Sequence, residues 1–235
     1  MRRACLALAI ALGTAGCGSS GSTSTTTSTT AAGSATTTTS TKTSGGAAAA
    51  CRTVPVPMPK GAQHLRPPQV KLDPSRTYTV TVLTSCGTFA FTLDVKQSPK
   101  TSASIYYLVK RGFFDGLTFH RVAAGFVIQG GDPLGNGSGG PGYTVVEAPP
   151  PGTQYVRGVV AMAKTGTDPS GASGSQFFVV TGANVGLPPQ YAVAGKVVSG
   201  IDVVEKIGSL PTNPPGDGAP TPPVVMSKVT VATSQ

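Results

Sequence analysis

Thr118-Phe119-His120-Arg121-Val122-Ala123-Ala124-Gly125-Phe126-Val127-Ile128-Gln129-Gly130-Gly131-Asp132-Pro133 holds two short β-rich runs, Thr118–Val122 and Phe126–Gln129, with glycine between and after them. The same texture extends in both directions. Upstream, Thr77–Leu83 alternates Tyr78, Val80 and Val82 with threonine, and Thr88–Leu93 repeats the pattern with Phe89, Phe91 and Leu93. Ser85-Cys86-Gly87 turns between them, so the pair is a β-hairpin. Downstream, further runs lie at Val156–Lys164, Gln176–Thr181, Ala192–Val198 and Val224–Val231, separated by loops rich in Gly and Pro. Only two helices are predicted. Ser98 as N-cap and Pro99 as first helical residue open one, with Ile105, Leu108 and Val109 on a single face and Gly112 at its end. Ser199–Ile207 is the other, burying Ile201, Val204 and Ile207. Many short strands with two helices argue a mainly β fold: a closed antiparallel eight-stranded barrel capped by the helices.

Composition limits the folded part to one domain. The chain has 235 residues, and all fourteen aromatic residues (Tyr 6, Phe 8, Trp 0) fall between Tyr78 and Tyr191. With no second aromatic cluster, the domain is placed at 77–235. The net charge of +9 invites a nucleic-acid reading until it is located along the chain. From Tyr78 onward, ten basic residues face eight acidic ones, so the excess belongs to the leader and the segment before the domain. A nucleic-acid partner is not expected.

The N-terminus reads as an export signal. Met1-Arg2-Arg3 is positively charged, and the apolar stretch Ala4–Gly13 is too short to span a bilayer. Residues 1–16 are therefore expected to be a signal peptide. Thr14-Ala15-Gly16-Cys17 resembles a bacterial lipobox, although that family usually has Leu where Thr14 stands. The resemblance implies lipid on Cys17 and an extracytoplasmic protein anchored to the cell membrane; the alternative is an ordinary secreted protein. Residues 18–50 contain only Gly, Ser, Thr and Ala apart from Lys42. Nothing there can be buried, so 17–50 is expected to be a disordered tether spanning on the order of 30 Å. Residues 51–76, rich in proline, follow as a stalk. Once Cys5 leaves with the leader and Cys17 is lipidated, Cys51 and Cys86 remain. In an oxidising compartment they read as one disulfide; two free thiols are the alternative.

Four motifs in order carry a family resemblance. They are Phe119-His120-Arg121-Val122, Gly125–Pro133, the glycine-rich Gly135–Gly140, and Gly174-Ser175-Gln176-Phe177-Phe178, continued by Ala192–Val197. Together they resemble the cyclophilin family of peptidyl-prolyl isomerases over about 155 residues. The resemblance implies a groove on the barrel surface, with catalytic residues Arg121, Phe126 and Gln129. Phe126, Val127, Phe178 and Leu187 would line the pocket for the substrate proline. Gln129 would bond the substrate backbone and help hold Arg121, while Ala163 and Gln176 would line the adjoining groove. Tyr191 stands where many members have His, and Lys164 where animal members have Asn. The partners implied are proline-containing unfolded or exported polypeptides, handled by a monomer without cofactor or metal.

The residues also fit the chemistry without the name. A peptide bond before proline rotates over a barrier of about 18–20 kcal/mol because resonance resists the twist. No bond breaks, so no nucleophile is required. A guanidinium, charged at any working pH, can donate to the lone pair that appears on the twisted nitrogen, and apolar walls strengthen that contact. The alternative class is a non-catalytic module that only holds proline segments. His120 and His64 are the only histidines, which leaves zinc and Ser-His-Asp chemistry without ligands. His120 is read as structural. Gly135–Gly140 formally matches G-x-G-x-x-G, but no helix-forming run follows, so it is read as a loop beside the groove.

Overall fold

Side-chain alternation sets the strands, and their pairing closes them into a ring. The computed structural model describes residues 50–235; the leader 1–16, Cys17 and the tether up to residue 49 lie outside the described residues. In chain order the elements are β1 (Thr77–Thr84), β2 (Gly87–Leu93), α1 (Pro99–Lys110), β3 (Thr118–Ala123), β4 (Val127–Gly130), β5 (Val145–Val146) and β6 (Val159–Met162). Then come β7 (Ala172–Ser173), β8 (Phe177–Val180), β9 (Val193–Ser199), α2 (Ile201–Gly208), β10 (Thr212–Asn213), β11 (Asp217–Pro220) and β12 (Val224–Ser234). Strands β3, β12, β1, β2, β9, β6, β8 and β4 pair in that order, and β4 returns to β3. The circuit is an eight-stranded antiparallel barrel, as the strand count implied. Strands β10 and β11 hang from β3 as a flap, and β5 pairs with β7 separately. These four short strands escape sequence reading because two to four residues among Gly and Pro carry no alternation.

Alternation divides the side chains between two apolar clusters. Phe89, Phe119, Ile128, Val160, Met162, Phe177 and Val179 point into the barrel with Leu108 of α1 and Ile207 of α2. Phe177 meets Phe119 and Phe114 edge to face, with ring centres 5.9 and 5.8 Å apart. Their neighbours Val127, Ala161, Phe178 and Val180 point outward and form a second, smaller cluster with Tyr155. That outer cluster is the floor of the groove described below.

Helix α1 starts where Ser98 and Pro99 place it, but Ser98 makes no side-chain cap. Glu147 supplies the cap instead. Its two carboxylate oxygens accept the N–H groups of Lys100 at 3.1 Å and Thr101 at 2.8 Å. A carboxylate is the group best suited to a helix N-terminus, where unpaired N–H groups and the helix dipole both favour negative charge.

Residues 51–76, expected as a stalk before the domain, are laid against the barrel as a strap. Cys51 is disulfide-bonded to Cys86 in the β1–β2 turn, and the Arg52 amide donates to Ser85 O at 2.9 Å. Further along, the amides of Lys60 and Leu65 donate to Pro133 O and Pro141 O at 2.9 and 2.8 Å. Leu65 and Leu72 pack onto the barrel core, and the Asp73 amide donates to the Tyr78 hydroxyl at 3.1 Å. Composition had suggested a stalk because the segment lacks aromatic residues; two leucines and backbone hydrogen bonds hold it in place.

Candidate active site

A β-bulge aims the arginine. Strand β3 pairs Phe119 with Gly130 but Arg121 with Gln129, so His120 is an extra residue opposite no partner on β4. Without the bulge, period-two alternation would send Arg121 to the same face as Phe119, into the core. With it, Phe119 and Val122 stay buried while Arg121 turns out to the groove. His120 absorbs the irregularity: neither ring nitrogen has a hydrogen-bond partner, and burial lowers its pKa.

Two groups hold the guanidinium. Asp217 of β11 accepts Arg121 Nε and Nη2 on its two oxygens, both at 2.7 Å. Gln129 Oε1 accepts Arg121 Nη1 at 3.2 Å. The bond from Arg121 is the main reason the Asp217 carboxyl titrates below the usual carboxylate range. From Gln129 a relay of amides continues: its Nε2 donates to Gln176 Oε1 at 3.1 Å, and Gln176 Nε2 donates to the carbonyls of Gly137 and Gly139, each at 2.9 Å. Arg121 is thereby connected to the glycine-rich loop across two strands.

The apolar half of the site is a cleft of about 230 Å³ lined by Arg121, Phe126, Val127, Gln129, Ala163, Lys164, Phe178, Leu187 and Tyr191. Phe178 and Tyr191 meet edge to face, 5.5 Å between centres, and the Lys164 ammonium lies 5.7 Å from the Tyr191 ring centre. Behind them Tyr155 is fully buried. Its hydroxyl donates to Tyr191 O at 2.7 Å and accepts from Tyr191 N at 2.9 Å, fixing that residue's backbone from both sides. A second, larger cleft of about 720 Å³ adjoins, sharing Gln129, Ala163 and Lys164 and adding Gln176 and the loop Gly137–Thr144.

The structure thus brings eight of the expected site residues into the small cleft and puts Gln176 in the large one beside it. Sequence reasoning missed Asp217 and Tyr155. Tyr155 carried one usable signal, an aromatic residue just before the Val156–Lys164 run. Asp217 carried none, lying among prolines and glycines 96 positions from its partner. The glycine-rich loop is not a phosphate cradle. The buried Asp132 carboxylate accepts the N–H groups of Leu134, Asn136 and Gly137 at 2.8, 2.9 and 2.5 Å, so those donors are already engaged. Among the described residues no group of three or more His, Cys, Asp or Glu could hold a metal ion.

Comparison with known proteins agrees with this geometry. The family model described as cyclophilin type peptidyl-prolyl cis-trans isomerase/CLD matches residues 79–231. The peptidyl-prolyl cis-trans isomerase A of Mycobacterium tuberculosis is 35% identical over 177 residues, covering 68% of this chain and 94% of that protein. The peptidyl-prolyl cis-trans isomerase cypE of Dictyostelium discoideum is 37% identical over 139 residues, covering 57% of this chain and 87% of that protein. The crystal structure of a Cryptosporidium parvum cyclophilin type isomerase superposes with a TM-score of 0.61 at 27% identity, covering 68% of this chain and 99% of that one. A second crystal structure of that parasite protein, determined in the presence of the dipeptide Ala-Pro, superposes with a TM-score of 0.60 at 28% identity. With the barrel, the family match and relatives of this identity in agreement, the chain belongs to the cyclophilin-type peptidyl-prolyl cis-trans isomerases.

Proposed function

We propose that the chain isomerises X-Pro bonds of exported proteins through Arg121, with the substrate proline seated against Phe126, Val127, Phe178 and Leu187. The observation that carries this reading is the bulge at His120, which turns a doubly held guanidinium onto the rim of an apolar cleft. As the peptide bond twists, its nitrogen loses amide character and gains a lone pair. Arg121 donates to that lone pair, and this contact exists only in the twisted state, so it lowers the barrier rather than tightening ground-state binding. Gln129 orients Arg121 and bonds the substrate backbone. Lys164 and Tyr191 close the rim. The Ala-Pro dipeptide named for the parasite relative supports a proline-containing ligand for this cleft.

A proline-limited refolding assay and an X-Pro peptide assay test the reading. Arg121→Ala is expected to lower kcat/KM by about 10²–10³, equivalent to about 2.7–4 kcal/mol, with little change in peptide Kd. Arg121→Lys should recover part of the activity, since an ammonium keeps the charge and loses the planar fork. Full activity in Arg121→Ala would overturn the arginine mechanism, and no acceleration by the unaltered protein would leave the binding-module reading.

For location, we propose an extracytoplasmic monomer anchored through lipid on Cys17, supported by the charged and apolar leader and the Thr14–Cys17 pattern. Cys17→Ser should move the protein from the membrane to the soluble fraction. Unchanged fractionation would remove the anchor.

A further inference from the structure

The strap walls a further cleft, separate from the two around Gln129. Its backbone is anchored at Leu65 and again at Asp73. Between those anchors, among the described residues, no hydrogen bond engages the backbone of 66–72. The amides of Gln69, Val70, Lys71 and Leu72 therefore stand unpaired in a row. Beside them lies a cleft of about 590 Å³, walled by Val70 and Leu72 from the strap and by Val95, Pro99, Ala103 and Val145 from the barrel side. It shares no residue with the proline cleft or with its larger neighbour. The strap wall also lies outside the family match, which begins at residue 79.

Three lysines line the same cleft: Lys71 from the strap, Lys96 from the β2–α1 connection and Lys100 from the first turn of α1. All three are exposed, and among the described residues no hydrogen bond or ion pair engages their ammonium groups. The neighbouring carboxylates line no part of the cleft and are engaged elsewhere. Asp73 accepts the Ser75 N–H and hydroxyl at 2.9 and 2.7 Å, Asp94 accepts the Gln97 N–H at 3.1 Å, and Glu147 caps α1. A partner thus meets unpaired main-chain groups, an apolar floor and three cations. An extended peptide along Gln69–Leu72 would pair as a strand added to a sheet edge, sending alternate side chains into the cleft. The cations favour carboxylates on its flanks. A bilayer surface would meet the lysines but not Val95 and Ala103, which are buried.

We propose that the cleft between the strap and α1 is a docking site for an extended acidic polypeptide segment. The segment pairs along Gln69–Leu72, seats an aliphatic side chain on Val95 and Ala103, and places its carboxylates at Lys71, Lys96 and Lys100. Docking there needs neither proline nor Arg121, so the inference stands apart from the isomerase reading. It gives the molecule a second hold on a polypeptide.

The full chain is titrated with a fluorescent, proline-free heptapeptide, Glu-Glu-Val-Leu-Val-Glu-Glu, followed by anisotropy and by backbone amide resonances. Binding should be saturable and weaken about tenfold when the peptide's glutamates become serine, or in the triple variant Lys71→Glu, Lys96→Glu, Lys100→Glu. Val70→Ser, which removes an apolar wall and leaves the charge unchanged, should weaken it about threefold. All four positions are exposed, so the variants should keep the melting temperature of the unaltered protein. The resonances of Val70, Lys71 and Ala103 should move on titration while those of Arg121 and Gln129 stay in place. No binding, a Kd unchanged in the triple variant, or shifts confined to the Arg121 cleft would each overturn the proposal. A Kd that responds to the lysines but not to Val70→Ser would reduce the site to general charge attraction and overturn it too. Binding to vesicles of anionic phospholipid without binding to the peptide would assign the lysines to a membrane surface instead. Loss of X-Pro turnover leaves the docking result standing, and loss of docking leaves turnover standing.

Discussion

Asp217 grips Arg121 with two parallel bonds of 2.7 Å, yet the pair is open to solvent, the side chains being 52% and 36% exposed respectively. Two effects of the carboxylate oppose each other: it orients the guanidinium and it offsets its charge. At this exposure water and salt screen the charge, so orientation is the larger effect. Asp217→Ala should therefore lower kcat/KM, by about two- to fivefold, the range an exposed ion pair can supply, with little change in melting temperature. Asp217→Asn, which keeps one acceptor, should fall between. Because Arg121 holds the Asp217 pKa down, the ion pair persists as pH falls through the usual carboxylate range and is lost only at the depressed value. The acid limb of kcat/KM should steepen there in the unaltered protein and be missing in Asp217→Asn; a higher rate in Asp217→Ala would show that charge offset dominates.

Phe178 and Tyr155 should separate binding from stability. Phe178→Ala removes a wall present in both ground and twisted states, so peptide Kd and kcat/KM should worsen together, unlike Arg121→Ala. Tyr155→Phe leaves two backbone groups of Tyr191 without their partner, at a cost of about 1–3 kcal/mol by denaturant unfolding. Its effect on catalysis should appear in KM before kcat, as Tyr191 loosens at the rim.

His120 should mark the pH dependence of stability. Its two ring nitrogens are buried without hydrogen-bond partners; Asp132 raises its pKa and Arg121 lowers it, but burial is the largest influence and lowers it. The unfolded chain thus binds a proton first. Stability should decline as pH drops through the ordinary imidazole range and level off below the depressed folded value. His120→Gln should flatten that slope in urea titrations at several pH values; an unchanged slope would assign it to other groups.

Glu147→Ala should destabilise the protein by about 0.5–2 kcal/mol through loss of the α1 cap, whereas Ser98→Ala should change little, because Ser98 makes no cap. Thermal unfolding of the two variants side by side distinguishes them.

Much of this arrangement is readable from local pattern, and the unreadable parts share one cause. The hairpin, both helices and the opposite facings of Phe177 and Phe178 follow from periods of 2 and 3.6. Arg121 does not. The same period points it inward beside Phe119, and only the bulge at His120 reverses it, so its role could be inferred only from the family motif. Glu147 and Asp217 act on residues 46 and 96 positions away. The strap betrays itself by neither aromatic residues nor alternation. Each is a non-local contact of a polar or irregular segment, where periodicity carries no information.

The Cys51–Cys86 bond also sets how the molecule would respond to mechanical tension. Force arriving along the chain from before Cys51 crosses the sulfur bridge to the hairpin turn and enters β2, because that is the shortest covalent path. The 35-position loop between the two cysteines is bypassed. The strap and strand β1 are thus shielded from a pull that, with the bridge reduced, would reach Arg52, then Lys60 and Leu65, and peel them from the barrel in turn.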